Sequence, residues 1–120
     1  MSKPMAMDGF TLWATDWLSS ASIMQMTAAG EGAYIRLLCW QWQGESLPAD
    51  ERELRRLSRL SDDEWEENAE ALLACLPLSP DGRRRNIKLE RERNRRAEFV
   101  AQQRARGKKG NLVRWKDRNE

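Results

Sequence analysis

The sequence predicts a mainly α-helical protein with one small β-hairpin, arranged as a winged helix-turn-helix domain followed by a basic C-terminal helix. Three features predict this: helix-capping signals at Thr27, Asp50 and Ser61, a change from helical to strand-like apolar spacing after Leu76, and a reversal of charge near residue 82. We assign residues 10–89 to the winged-helix domain and residues 90–120 to the basic helix and tail. A three-helix bundle with an irregular hairpin is the alternative fold.

Three helices form the predicted core. Thr27 is a suitable N-cap for the first helix, which would bury one line of side chains that includes Trp40. Asp50 with Glu53 matches a capping box that opens the second helix, and the Ser-Asp-Asp-Glu sequence at 61–64 matches another that opens the third. Because almost no linker separates the second and third helices, we expect a tight turn between them.

The wing is predicted to follow the third helix. Apolar residues alternate from Leu76 into a Ser-Pro-Asp-Gly turn at residues 79–82, and they alternate again as far as Leu89. This pattern is typical of a β-hairpin. The solvent face of its return strand would carry Arg84, Asn86 and Lys88.

The C-terminal segment favours helix again from Glu90 to about Arg106. Gly107 and Gly110 follow directly, and glycine is unfavourable inside a helix. We therefore expect the helix to end there and the remaining residues to form a basic tail.

The composition argues against several functional classes. The absence of histidine excludes the common zinc sites and histidine acid-base chemistry, so we expect no metal, no cofactor and no enzymatic activity. Cys39 and Cys75 each sit in an apolar stretch, which favours buried free thiols over a disulfide. No long apolar run or signal-peptide pattern is visible, so we expect a cytoplasmic protein with no membrane partner.

The charges divide the chain into an acidic part and a basic part. Residues 1–82 contain 6 Lys+Arg and 14 Asp+Glu, whereas residues 83–120 contain 15 Lys+Arg and 5 Asp+Glu. Such asymmetry is typical of proteins that bind nucleic acid, and DNA is the expected partner, with single-stranded DNA or RNA left open. The predicted third helix carries six carboxylates within residues 62–70, so we do not expect it to enter a DNA groove.

The predicted contacts with nucleic acid lie in the wing and in the basic C-terminal segment. Arginine and lysine there would contact phosphates, and one tryptophan would stack on an exposed base. The opposing interpretation is that these cations are only solvated or neutralise the acidic part of the same chain. The predicted binding residues are Arg83, Arg84, Lys88, Arg95, Arg96, Arg104, Arg106, Lys108, Lys109, Arg114 and Trp115.

The central part of the chain carries several motif-like markers. They include Gly-Ala-Tyr at residues 32–34, Leu-Pro at 47–48 with Asp50, and Trp65, within GEGAYIRLLCWQWQGESLPADERELRRLSRLSDDEW. Together with the following LPLSPDGRRRNIKLERER, this stretch resembles a phage and prophage family of unknown function that often forms the N-terminal part of replication-initiation proteins. The resemblance implies a winged-helix fold and a role in phage DNA replication, and it supplies no catalytic residues.

Two functions are consistent with these features. The first is a nucleic-acid-binding domain of a phage or prophage replication module with low sequence specificity. The alternative is a protein-interaction module that recruits a replication protein or a second copy of the chain without contacting DNA.

Overall fold

The computed structural model describes residues 7–119, and the side chains of residues 7–107. The predicted helical class is confirmed, and no helix in this part of the chain is both long enough and apolar enough to cross a membrane. The helices are α1 (Ala14–Ser19), α2 (Ala21–Met24), α3 (Ala28–Gly44), α4 (Glu51–Ser58), α5 (Asp62–Ala74) and α6 (Ile87–Asn119).

Helix α3 lies at the centre of the molecule. Thr27 caps it as predicted, since its Oγ1 accepts a hydrogen bond of 3.1 Å from the Gly30 N–H. Helices α4, α5 and α6 all contact α3, and α2 contacts α5. Leu37 of α3, Leu54 of α4 and Leu72 of α5 are fully buried and belong to one apolar core, which also includes residues between the helices, such as Leu47 and Leu76.

The two predicted capping boxes have different outcomes. The box at Ser61 and Glu64 is confirmed: the Glu64 N–H donates to Ser61 Oγ at 3.2 Å and the Ser61 N–H donates to Glu64 Oε1 at 2.9 Å. Hydrogen bonds to the Glu64 carboxylate from the Ser61 backbone N–H and, second, from the Ser61 side chain lower the pKa of that carboxyl. Asp50 caps α4 through the Arg52 N–H instead, so the predicted partnership with Glu53 is wrong. The tight turn between α4 and α5 is present, with Arg59 in the left-handed conformation at φ 64°.

Asn68 of α5 fixes the start of α3. Its side chain is completely buried, accepts from the Thr27 N–H at 2.8 Å, and donates to Thr27 Oγ1 at 2.9 Å and to the Glu64 carbonyl at 2.8 Å. A Cβ atom at Gly30 would lie 2.1 Å from Asn68 Oδ1. Glycine is therefore required at this position because the Asn68 side chain is held by three hydrogen bonds and cannot move aside.

The predicted β-hairpin is wrong. Within residues 7–119 there is no strand, and the segment between α5 and α6 makes only isolated antiparallel bridges, from Arg84 to Leu47 and to Leu78. The alternating apolar residues do not form one buried face, because Leu78 is 58% exposed and Ile87 is 55% exposed. Two alternations on each side of a turn are too few to distinguish a strand from a helix start. The winged helix-turn-helix fold is therefore wrong as well, since the wing is absent.

Helix α6 is longer than predicted. It begins at Ile87 instead of residue 90, which places its first turn in the predicted return strand, and its backbone continues through Gly107 and Gly110. Each glycine costs a helix only about 1 kcal/mol relative to alanine, which flanking residues that favour helix can offset. At about 1.5 Å per residue the helix is about 50 Å long. It crosses the predicted domain boundary at residue 90 without interruption.

The aromatic and thiol side chains are less buried than predicted. Trp42 is buried, but Trp40, which the helical pattern placed on the buried face of α3, is half-exposed. Both cysteines are free thiols as predicted. Cys39 is exposed and Cys75 is half-buried, so the prediction that both are buried is wrong.

Gly30→Ala should destabilise the fold, whereas Gly32→Ala should not. The new methyl group at residue 30 would overlap the fixed Asn68 side chain, at a cost of about 1–3 kcal/mol. Gly32 lies in the same helix with open space around it, and alanine there should stabilise by up to about 1 kcal/mol. Urea denaturation of both variants measures this difference, and equal midpoints would contradict the role given to Asn68.

Candidate nucleic-acid interface

Asn86 starts helix α6 and joins it to α3. Its Oδ1 accepts from the Leu89 N–H at 3.0 Å, as an N-cap side chain does. Its backbone N–H donates to Gln41 Oε1 at 2.7 Å, and its carbonyl accepts from Gln41 Nε2 at 3.1 Å. Gln41 is 1% exposed, so a buried amide of α3 uses both of its polar atoms to fix the residue from which α6 begins.

The Asn86 side chain also reaches the end of α5. Its Nδ2 donates to Tyr34 Oη at 2.9 Å and to the Cys75 carbonyl at 3.0 Å. Burial raises the pKa of the Tyr34 phenol, and the neighbouring Cys75 raises it further. This role of Asn86 was not predicted, because the strand-like pattern placed its side chain on a solvent face. An asparagine directly before a helix-favouring run is an N-cap signal that indicates the role.

The arginines before α6 contact the body of the protein. Arg84 donates to the Ala49 carbonyl at 3.2 Å and to the Leu76 carbonyl at 3.0 Å, so the prediction that it faces solvent is wrong. Arg85 donates to both Asp81 carboxylate oxygens, at 2.9 and 2.8 Å. This paired contact holds the pKa of the Asp81 carboxyl far below its usual range. The hydrogen bonds of Arg84 and Arg85 therefore stabilise the turn between α5 and α6.

The neighbouring predicted residues have partners too. Arg83 is exposed and donates to Ser46 Oγ at 3.0 Å. Lys88 forms an ion pair with Asp16 of α1, although its side chain remains 68% exposed. Both cations are on the surface, and a surface ion pair of this kind contributes little to stability, so Lys88 can exchange partners at low cost.

Arg96 of α6 holds the N-terminal arm, which we define as residues 7–13. Its guanidinium donates to Thr11 Oγ1 at 2.9 Å and lies 5.6 Å from the centre of the Trp42 ring. The Trp42 indole in turn donates to the Met7 carbonyl at 2.6 Å. Arg96, a predicted binding residue, is thus used to clamp the arm between α3 and α6.

Another set of cations on α6 faces solvent. Lys88, Arg91, Arg95 and Arg106 recur at helical spacing on one side of the helix, and we call these four residues the basic stripe. Arg91, Arg95 and Arg106 are exposed, and no ion pair or hydrogen bond of their side chains is present among residues 7–107. At about 1.5 Å per residue, they span about 22 Å. Arg104 is exposed as well, on a different side of α6.

The basic stripe does not neutralise the acidic helix α5. In the part of the chain with described side chains, the ion pair made by residues 62–70 is the 3.1 Å contact of Asp62 with Arg55 of α4. The cations after residue 82 that do form ion pairs contact Asp16, Glu45, Asp81 and Glu92 instead. Within residues 7–107, no ion pair therefore joins the acidic surface of α5 to the basic stripe.

Four of the predicted binding residues fall in the last part of α6, where the side chains are outside the described residues. They are Lys108, Lys109, Arg114 and Trp115. Their roles stay predictions.

A cavity of about 210 Å³ opens beside the start of the basic stripe. It lies between the N-terminal arm, α1, α3 and the first turns of α6. Trp17 stacks on Tyr34 within it, with ring centres 5.3 Å apart and planes 20° from parallel. Lys88 also lines the cavity, so the stripe and the cavity share a residue. The aromatic side chains that line it are Phe10, Trp13, Trp17 and Tyr34.

The family model for DUF1376, described as a protein of unknown function, matches residues 10–94. The chain belongs to the DUF1376 family. No curated protein and no solved structure matches it. The match confirms the predicted resemblance to a family of unknown function.

The DUF1376 match covers one part of the candidate interface and leaves another part outside it. Every residue that lines the cavity, together with Gln41 and Asn86, lies inside the matched region. Arg95, Arg104 and Arg106 lie beyond its end. No group of three or more carboxylate or thiol side chains in the described part of the chain is arranged to hold a metal ion.

Gln41→Leu should loosen the attachment of α6. The substitution keeps an apolar side chain in the core but leaves the Asn86 N–H without its partner, which we expect to cost about 1–3 kcal/mol; the Asn86 carbonyl still accepts from the Glu90 N–H at 3.0 Å. Gln43→Leu is the matched control, because Gln43 is exposed on the same helix and should change stability by less than about 0.5 kcal/mol. Thermal denaturation followed by circular dichroism tests this; a Gln41→Leu melting temperature equal to that of the control would contradict the anchoring role.

Proposed function

We propose that this DUF1376 chain binds nucleic acid with low sequence specificity through the basic stripe of α6. The observation that supports the proposal most strongly is the exposure of Arg91, Arg95 and Arg106 on one side of a helix, without carboxylate partners among residues 7–107. Unpaired arginines repel one another, so a surface that aligns them favours a polyanion as its partner. A guanidinium can also donate two parallel hydrogen bonds to one phosphate.

Low sequence specificity follows from the chemistry of the stripe. Contacts to phosphates fix the position of a protein on nucleic acid but carry no base information. The acidic first turn of α5, with Asp62, Asp63 and Glu64, would be repelled by phosphates, which argues against α5 as a helix that reads the major groove. Binding should therefore depend strongly on salt and weakly on sequence.

The biological setting we propose is phage or prophage DNA replication. Its support is the resemblance of residues 32–65 and the turn that follows to the phage and prophage family found in replication-initiation proteins. A domain that binds nucleic acid without reading sequence would hold the template while other parts of a replication complex provide specificity and catalysis.

Replacing the free arginines of the stripe should weaken nucleic-acid binding. The triple variant Arg91→Gln, Arg95→Gln and Arg106→Gln removes up to three phosphate contacts. We expect the slope of log affinity against log salt to become shallower by about 2–3, with an affinity loss of about tenfold or more at low salt. Fluorescence anisotropy with labelled DNA, single-stranded and duplex, at several salt concentrations measures both quantities.

The matched control is Arg36→Gln, Arg52→Gln and Arg56→Gln, which removes the same charge from exposed positions on α3 and α4. This control should retain the original slope. Equal losses in both triple variants would show that only net charge matters, and undetectable binding of either DNA by the unaltered chain at low salt would refute the proposal.

A second candidate function is protein interaction. It is favoured by the large apolar side chains exposed on the first two helices, since Leu18 and Met24 are each 75% exposed. Light scattering of the unaltered chain and the stripe variant separates the two functions: self-association that persists in the variant, without DNA binding by either protein, would favour this second candidate.

A further inference from the structure

We propose that the cavity between the N-terminal arm and α3 receives one unpaired base of a single strand whose phosphates lie along the basic stripe. This inference rests on the proposed function and goes further, because it assigns a site for the base and selects single-stranded nucleic acid over duplex. The cavity and the stripe are considered together because Lys88 belongs to both.

The path from the cavity to the stripe is continuous along α6. Lys88 lines the cavity, and Arg91 follows one helical turn later, about 4.5 Å further along the axis. Both side chains are exposed. No residue of α5 lines the cavity. A strand with its backbone on Arg91 and Arg95 can therefore direct a base past Lys88 into it.

The walls of the cavity are suited to stacking. Phe10, Trp13, Trp17 and Tyr34 contribute aromatic rings to it, and Ile23 adds an aliphatic surface. Trp13 is 61% exposed and makes no side-chain hydrogen bond, so its ring has no evident part in holding the fold together. Stacking of a base on such a ring contributes about 1–3 kcal/mol and tolerates any base, because every base has a π-face.

The polar groups of the cavity are already occupied. Asn86 uses its side-chain oxygen on Leu89 and its amide group on Tyr34 and Cys75. Asp16 is paired with Lys88. Because few free donors or acceptors remain to read the edge of a base, a base would be held by its faces and selected weakly by its identity.

The size of the cavity limits the ligand. Its volume of about 210 Å³ is below the ~300–1,000 Å³ of pockets that enclose drug-sized molecules, so it fits one planar ring system. A base in a duplex would have to leave its stack and its partner first, which costs a few kcal/mol. A single strand has no partner to lose, and it is therefore the favoured ligand.

The experiment compares strands with and without bases on the same protein. Anisotropy is measured for a labelled oligothymidylate of about twelve nucleotides, for an abasic strand of equal length, and for a duplex, at one salt concentration. We expect the oligothymidylate to bind about 5- to 150-fold tighter than the abasic strand. Trp13→Ala should remove most of that difference while the affinity for the abasic strand stays unchanged.

Two control variants make the assignment specific. Trp40→Ala removes another half-exposed tryptophan, on α3 and outside the cavity, and should leave the preference for bases intact. Trp13→Phe keeps an aromatic ring at the cavity and should preserve most of the preference. Because Trp13 caps α1 through its backbone alone, its substitutions should leave the fold unchanged, and circular dichroism checks this.

The results separate this inference from the function on which it rests. Equal binding of the oligothymidylate and the abasic strand would overturn the base site while leaving phosphate binding by the stripe in place. A loss in Trp40→Ala equal to that in Trp13→Ala would overturn the cavity as its location. Failure of every strand to bind at low salt would remove the proposed function and the base site together.

Discussion

The reciprocal hydrogen bonds between Gln41 and Asn86 determine where the longest helix of this protein leaves its body. A buried amide on α3 satisfies both backbone polar groups of the residue that caps α6, while the Asn86 side chain ties the same point to Tyr34 and to the end of α5. Breaking either amide bond would leave a polar group unpaired in a partly buried site. The direction of α6, and with it the position of every cation on that helix, depends on this junction.

The cations after residue 82 divide into two groups with different tasks. Arg84, Arg85 and Arg96 bind carbonyls, a carboxylate and an aromatic ring of the body, and in doing so they fix the turn and the N-terminal arm. Arg91 and Arg95 of α6 are exposed and face solvent. A count of positive charge in the sequence does not separate these groups, because the separation depends on the tertiary contacts that each side chain makes.

Local signals predicted the caps at Thr27 and Ser61 because a short polar side chain at the start of a helix acts within a few residues. Long-range contacts could not be predicted in the same way: Gln41 and Asn86 are 45 residues apart, and nothing in either local pattern indicates their pairing. The prediction of a hairpin was wrong because the alternation from Leu76 to Leu89 fits a strand. The N-cap at Asn86 and its hydrogen bonds to Gln41 of α3 favour a helix instead. The aromatic cavity depends on the path of the N-terminal arm, which carries no periodic signal.

Hydrogen exchange with and without a single-stranded oligothymidylate tests the central claim most directly. Among residues 7–107, no hydrogen bond or ion pair joins residues 97–107 of α6 to another helix, so amides there should exchange through local opening, which a bound strand would suppress. The account predicts slower exchange in residues 91–106 and in the N-terminal arm when the strand is present, with no change in α5. Slower exchange in α5, or an unchanged α6 in a complex that has formed, would contradict it.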